Sequence, residues 1–337
     1  MHLLTTTLLS ALAATTASAQ AVTKNPKRGL VSTPHVDFPE DSTIWSDETT
    51  PLSWYWNFAN EPGESYKDIP QEKFEFVPTM WGAYTSNGTD TFFLGNLTAL
   101  MKTRKISHVI TFNLPDWSFD KGGSQMSPEV GARVYVNNIL PLREQGVKVS
   151  LPTVSDPKGS WIEPFMNNCT KLNDDKPCEF DFVPLHSFGG LGTLKENIGK
   201  WEAAFPGKPI WVTEFGYADQ ELITTENFLN QSLKYLDEHK TVERYAWFGA
   251  FREQNSNVGP NMAMLTSYGN LTNVGNWYLG KQTTEKPGQR PANANHCTAD
   301  NPCGGSGTKK NAGVRMSVGE VAGWLMVGFV QLGMFFL

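Results

Sequence analysis

Glu214 is the residue best placed by sequence to do chemistry. It closes the apolar run Ile210-Trp211-Val212-Thr213, where an unpaired carboxylate is costly to bury. A carboxyl group held in that way suits nucleophilic or acid–base work on a bound substrate. An ion-paired structural glutamate is the plainer alternative. Other groups that bond hydroxyls or stack on rings recur at the ends of β-rich runs. They are Trp56 and Asn57, Trp81, the stretch Asn113-Leu114-Pro115-Asp116-Trp117, His186 and Phe188, and Trp247. Sugar rings lay their C–H faces on aromatic rings while their hydroxyls bond Asn, His and Glu, so this mixture fits a saccharide better than a phosphate or a metal. Each has a plainer reading too: Asn113 as a turn former before Pro115, His186 as a satisfied core histidine, Trp211 as core. Trp54 and Trp56 share one strand face and Tyr55 takes the other, so at least one of the three packs structurally.

The elements that would carry these residues alternate. Candidate strands are Arg28–Val31, Ser53–Asn57, Phe74–Trp81, His108–Asn113, Lys148–Pro152, Phe180–His186, Pro209–Glu214 and Arg244–Phe251. Helix-compatible segments lie at Phe92–Lys102, Pro128–Glu144, Thr193–Ala204 and Thr225–Glu238; the second follows Ser127 as N-cap with Pro128 at the first helical position. Strands alternating with helices over this length predict an α/β fold, a (β/α)8 TIM barrel spanning 27–280, with its site at the C-terminal ends of the strands. An open doubly wound sheet would bring a glycine-rich phosphate loop after an early strand, and none is present.

Both ends read as addresses. Leu3 to Ala14 is a short apolar run ending in Ala17-Ser18-Ala19, so 1–19 is expected to be a signal peptide. Residues 281–313 are a polar linker, and 314–337 end in the apolar run Val321 to Leu337 with no charge after it. Small residues, a polar spacer and a terminal apolar tail describe a GPI-attachment signal, with Ser306 and Asn311 as candidate attachment residues; a C-terminal membrane helix is the alternative. The expected location is therefore the outer face of the plasma membrane or the cell wall. Four cysteines fit an oxidising compartment: Cys169 and Cys178 bracket one short loop, Cys297 and Cys303 another, and of the three pairings open the local one is the simplest. Sequons begin at Asn87, Asn96, Asn168, Asn230 and Asn270, expected in exposed loops. A net charge of −6 gives no footprint for nucleic acid. Neither a metal nor a cofactor is expected.

The runs KRGL at 27–30, WYWN at 54–57, EFVPTMWG at 75–82, FNLPD at 112–116, DFVPLH at 181–186, IWVTEFG at 210–216 and RYAWFGAF at 244–251 resemble glycoside hydrolase family 128. These are the fungal alkali-sensitive-linkage-type β-1,3-glucanases. The resemblance implies a (β/α)8 barrel, retaining hydrolysis of β-1,3-glucan and two catalytic glutamates. It places the nucleophile at Glu214 and the acid/base in an N-E-P-D motif after the fourth strand.

Here that motif reads Asn113-Leu114-Pro115-Asp116. Leucine transfers no proton, and general acid–base catalysis is typically worth about 10²–10⁴ in rate. Asp120, Asp156 and Glu163 are the replacement acids to consider, Asp116 already being part of the motif. The family's H-W-Y-G after the sixth strand is also altered, to His186-Ser187-Phe188-Gly189. Three readings follow: a glucan-binding barrel that cuts little or nothing, an active β-1,3-glucanase or transglycosylase using another acid, and a structural wall glycoprotein. The GPI expectation has a direct check. Phosphatidylinositol-specific phospholipase C should release the protein from intact cells, whereas extraction by detergent alone would indicate a membrane helix.

Overall fold

The computed structural model describes residues 23–83, 85 and 88–290. Nine strands run in parallel: β1 Arg28–Val31, β2 Trp54–Trp56, β3 Glu75–Phe76, β4 Thr79–Met80, β5 His108–Asn113, β6 Lys148–Thr153, β7 Val183–Phe188, β8 Ile210–Gly216 and β9 Val242–Trp247. Two ladders, β3-β2-β1-β9-β8-β7 and β4-β5-β6, join at two seams. At one seam, β3 and β4 are a single stave interrupted at Val77-Pro78. Pro78 has no N–H to give, but its carbonyl accepts from Ile110 N (3.0 Å) while Val77 N bonds Tyr55 O (2.9 Å), so the stave holds both neighbours. At the other, Ser150 bridges Phe182, and Leu151 N bonds Phe182 O at 3.0 Å. The result is the closed eight-stave barrel expected from sequence, with every strand past the third numbered one higher.

The helices are α1 Thr43–Ser46, α2 Thr91–Met101, α3 Pro128–Val134, α4 Leu140–Glu144, α5 Ile162–Leu172, α6 Leu191–Ala204, α7 Leu222–Glu238 and α8 Asn273–Tyr278. Only a single turn of helix, α1, and short 3-10 turns follow the first two strands. The helix expected at Pro128–Glu144 is interrupted by a π-helical turn over Tyr135–Ile139, next to Pro141, which removes a backbone donor. The cap expected of Ser127 is made, its Oγ accepting from Val130 N at 3.3 Å; α2 is capped too, Asp90 Oδ1 accepting from Phe93 N at 2.9 Å.

Several expectations need correction. Cys169 pairs with Cys178, the simplest of the pairings, but it lies within α5 rather than at the edge of a loop, which the polar run Asn167-Asn168 concealed. Asn96, Asn168 and Asn230 sit on helices rather than in loops, and of these only Asn230 is exposed; Asn270 is exposed in a turn. Asn87, Cys297 and Cys303 lie outside the described residues, as do both end signals. The start of the expected linker is docked on the barrel. Glu226 of α7 accepts from Asn273 Nδ2 (3.0 Å) and Gly288 N (2.5 Å), Asn273 Nδ2 also bonds Gln289 O (2.6 Å), and Arg290 reaches Glu253 and Asn261 Oδ1 (2.7 Å).

The barrel interior is aromatic, with a polar cluster low in it. Trp54 lies over Gly29, where a Cβ would meet the indole at 2.2 Å. Trp211 stacks on Phe182 (4.0 Å between centroids) and carries the Arg244 guanidinium 4.3 Å above its ring. Glu75 meets both neighbours: Arg244 Nη2 donates to Oε2 at 2.7 Å and His108 Nδ1 lies 2.9 Å from Oε1. Burial pushes the Glu75 carboxyl up, but His108 and Arg244 outweigh it and hold the group below its ordinary value of 4.5. Such a group stabilises the fold above its unfolded value, and the benefit is lost as pH falls through the folded one. Glu75→Gln should therefore cost about 3 kcal/mol near neutral pH by leaving Arg244 with a weaker partner. Urea midpoints taken from about pH 7 to about pH 3 should show the gap to wild type closing below the ordinary glutamate value. A gap that stays constant would contradict this account.

Candidate functional site

Of the last three residues of each stave at the C-terminal end, only Glu214 carries a carboxyl group. Its position comes from a bulge. Leu185 of β7 pairs with Val212 and His186 with Glu214, leaving Thr213 as the extra residue of β8. Thr213 is held from two sides: its hydroxyl donates to Leu185 O (3.2 Å) and its carbonyl accepts from Trp56 Nε1 (3.2 Å). The bulge thus brings Glu214 against His186, with Oε1 3.5 Å from Nε2. Both side chains are more than nine-tenths buried. His186 Nε2 has no hydrogen-bond partner among the described residues. Burial pushes the Glu214 carboxyl up to about 8 and the His186 imidazole down to about 3. At neutral pH the pair is a carboxylic acid facing a neutral imidazole rather than an ion pair.

Leu114 follows β5 directly and is held in the left-handed region at φ 43°. That conformation costs a non-glycine residue on the order of 1–3 kcal/mol, so the surroundings must enforce it. They do so by a dense set of backbone bonds. Leu114 N donates to Thr153 O (2.8 Å), Leu114 O accepts from Trp117 N (3.0 Å), and Ser124 N returns to Asn113 O (2.8 Å). Leu114 is buried yet stands outside the continuous hydrophobic core. Its side chain occupies a strand end whose backbone is fixed as tightly as a catalytic residue would require.

The other expected site residues divide. Trp81, Trp117 and Phe188 are open at the rim, the last two 39% and 38% exposed, and Phe188 packs edge-on against Phe248. Asn113 is buried and its Nδ2 donates to Gly122 O (3.1 Å), leaving Oδ1 as its remaining polar atom. Trp56 and Trp247 are not rim residues. Both are fully buried, because each indole N–H finds a carbonyl inside: Thr213 O for Trp56 and Met262 O (2.9 Å) for Trp247. Trp56 instead backs the site, its ring 6.2 Å from His186. Asn57 turns its own loop, donating to Glu61 O (2.9 Å) and accepting from Ala59 N (3.2 Å). Asp116 accepts from Ser155 N (3.0 Å) and from the Ser155 hydroxyl, tying two loops together. Thr213 and Phe119 went unnoticed in the sequence. A main-chain role has no local signature; for Phe119 the alternation Trp117-Ser118-Phe119 was the signal.

A family model, the glycosyl hydrolase catalytic core, matches residues 29–278. The chain belongs to that family. Its placement in glycoside hydrolase family 128 agrees with the solved structures that share the fold. One is a family 128 subgroup II endo-β-1,3-glucanase from Sorangium cellulosum (TM-score 0.60, 20% identity, 77% of this chain and 100% of that one). Another is a subgroup VII oligosaccharide-binding protein from Trichoderma gamsii (TM-score 0.58, 18% identity, 77% and 94%). Among curated proteins, alkali-sensitive linkage protein 1 of Schizosaccharomyces pombe is 29% identical over 262 residues, 75% of this chain; the chain spans 44% of that protein's length.

The pair at the bulge has a pH signature. A carboxyl raised in the fold keeps a proton that the unfolded chain has released, so stability falls from the ordinary value of 4.5 up to about 8. His186 acts oppositely between about 3 and 6.5, where the unfolded chain holds the extra proton. Above 6.5 only the Glu214 effect remains, about 2 kcal/mol over the roughly 1.5 units up to 8. Denaturation midpoints of the wild type should drop across that interval relative to Glu214→Gln. Parallel curves would refute the raised carboxyl.

Proposed function

We propose that this barrel recognises β-1,3-glucan at the cell surface and binds it with little or no hydrolysis. The observation that carries the reading is Leu114. Retaining hydrolysis needs two carboxyl groups about 5–5.5 Å apart, one to attack and one to protonate the leaving oxygen. Leu114 stands where the family motif places the proton donor, and no other stave end offers a carboxyl to replace it. The nearby acids are committed or open to solvent. Asp116 is held by Ser155, Asp156 accepts from Lys158 N (2.9 Å), and Asp120 and Glu163 are exposed.

Glu214 supports the same reading. The position that the family resemblance assigns to the nucleophile holds a carboxyl that burial keeps protonated at neutral pH. A neutral acid is a poor nucleophile and a good hydrogen-bond donor to a sugar hydroxyl. With His186 beside it and Trp81, Trp117 and Phe188 at the rim, the open end of the barrel retains groups for stacking and for hydroxyl recognition. The fold shared with a protein described as oligosaccharide-binding, and the relation to alkali-sensitive linkage protein 1, fit a glucan ligand. The signal peptide and GPI-attachment signal expected at the two ends support a location on the outer membrane face or in the wall.

Titration calorimetry with a laminari-oligosaccharide series, alongside product analysis, tests the reading. Saturable binding without product supports it. Turnover that disappears in Glu214→Gln overturns it in favour of an active glucanase. Leu114→Glu, with the cleft otherwise intact, should raise hydrolysis by about 10²-fold or more.

A further inference from the structure

The loop that follows Leu114 carries more aromatic surface than the family motif accounts for. Trp81, after β4, and Phe119, in a 3-10 turn over Phe119–Lys121, are offset-stacked with centroids 6.3 Å apart and planes inclined by 26°. Trp117 lies two residues before Phe119 and is 39% exposed; Phe119 is 36% exposed. Such rings are ordinarily withdrawn from water, so three of them together at a rim need a reason.

The surface is fixed rather than floppy. Asn113 N donates to Trp81 O at 2.8 Å, which ties the bases of the two segments together. Gln125 Oε1 accepts from Phe119 N (3.1 Å), and Gln125 N donates to Trp117 O (3.0 Å). Gly123 runs directly beneath Trp117: a Cβ there would meet Trp117 Cβ and the Leu114 carbonyl at 2.4 Å each. The hairpin from Leu114 to Met126 is therefore pinned along its length. Rings held in advance lose little freedom when a ligand lands on them.

We propose that Trp81, Trp117 and Phe119 form an aromatic shelf that stacks additional glucosyl units of the bound chain, with Phe119 setting the chain-length preference. This rests on the glucan-binding reading and deepens it. The shelf is continuous with the site through Asn113 and Leu114, and its rings are themselves uncharged, as stacking on a neutral polysaccharide requires. Short oligosaccharides fill the neighbourhood of Glu214 and His186; longer ones extend over the β4 and β5 side of the rim and gain contact with each ring they cover.

Calorimetry on wild type, Phe119→Ala and Phe119→Trp with laminaritriose and laminarihexaose tests this. Phe119→Ala should weaken hexaose binding roughly five- to tenfold while changing triose binding less than about twofold. Phe119→Trp should restore the hexaose affinity. Equal losses for both lengths, or no loss for either while the wild type binds, would overturn the shelf and leave the glucan reading standing. Loss of self-association in Phe119→Ala with unchanged affinity would also overturn it, assigning the rings to a contact between copies. A wild type that binds neither sugar would overturn the glucan reading itself.

Discussion

The barrel depends on one carboxylate that lies far from the candidate chemistry. Glu75 sits on the stave formed by β3 and β4 and takes a hydrogen bond from Arg244 of β9 while meeting His108 of β5. β5 is the stave next to β4, but β9 stands three places from β3 around the wall, so the contact with Arg244 crosses the barrel interior. A shared anion inside an aromatic cavity fixes how the staves lean on one another, since Arg244 must also sit over the Trp211 ring. Trp211 belongs to β8, three residues before Glu214. The geometry of the upper rim is thus set from below: the cluster seats β8, and the bulge at Thr213 then turns Glu214 toward His186. Buried ionic groups do not always stabilise, but here they link strands that no short loop connects.

The strand pattern was legible because it is local. Parallel barrel strands are short apolar runs, and their order follows chain order, so β1 and β5 fall where the residues place them. The exceptions trace to single residues. Pro78 splits a stave without opening the barrel, Pro141 and its π-helical neighbour break a helix that reads as continuous, and α5 hides in a polar stretch that ends at a disulfide.

The site was legible in part, for the same reason. Residue types at strand ends point to a saccharide, but which aromatic faces water depends on where an indole N–H finds its acceptor. Trp56 and Trp247 find theirs inside, through partners 157 and 15 residues away, and no local pattern announces that. The Glu75, His108 and Arg244 cluster is equally silent in sequence. Leu114 is the opposite case. Its identity is plain in the motif, and the structure adds that the backbone beneath it is held in the left-handed region. Strain of this kind, at φ 43°, is common at reacting residues, and here it lies under a side chain that cannot react.

The docked stretch ending at Arg290 bears on orientation. From Tyr278, whose hydroxyl reaches Gly29 at the foot of β1, the chain climbs back along α7 to Glu253, in the loop above β9. Arg290, the last described residue, therefore lies at the same end of the barrel as Glu214, the end where β9 runs out into the loop of Glu253. A pull applied at Arg290 would be taken first by its own contacts and those of Gly288, before it reached any stave.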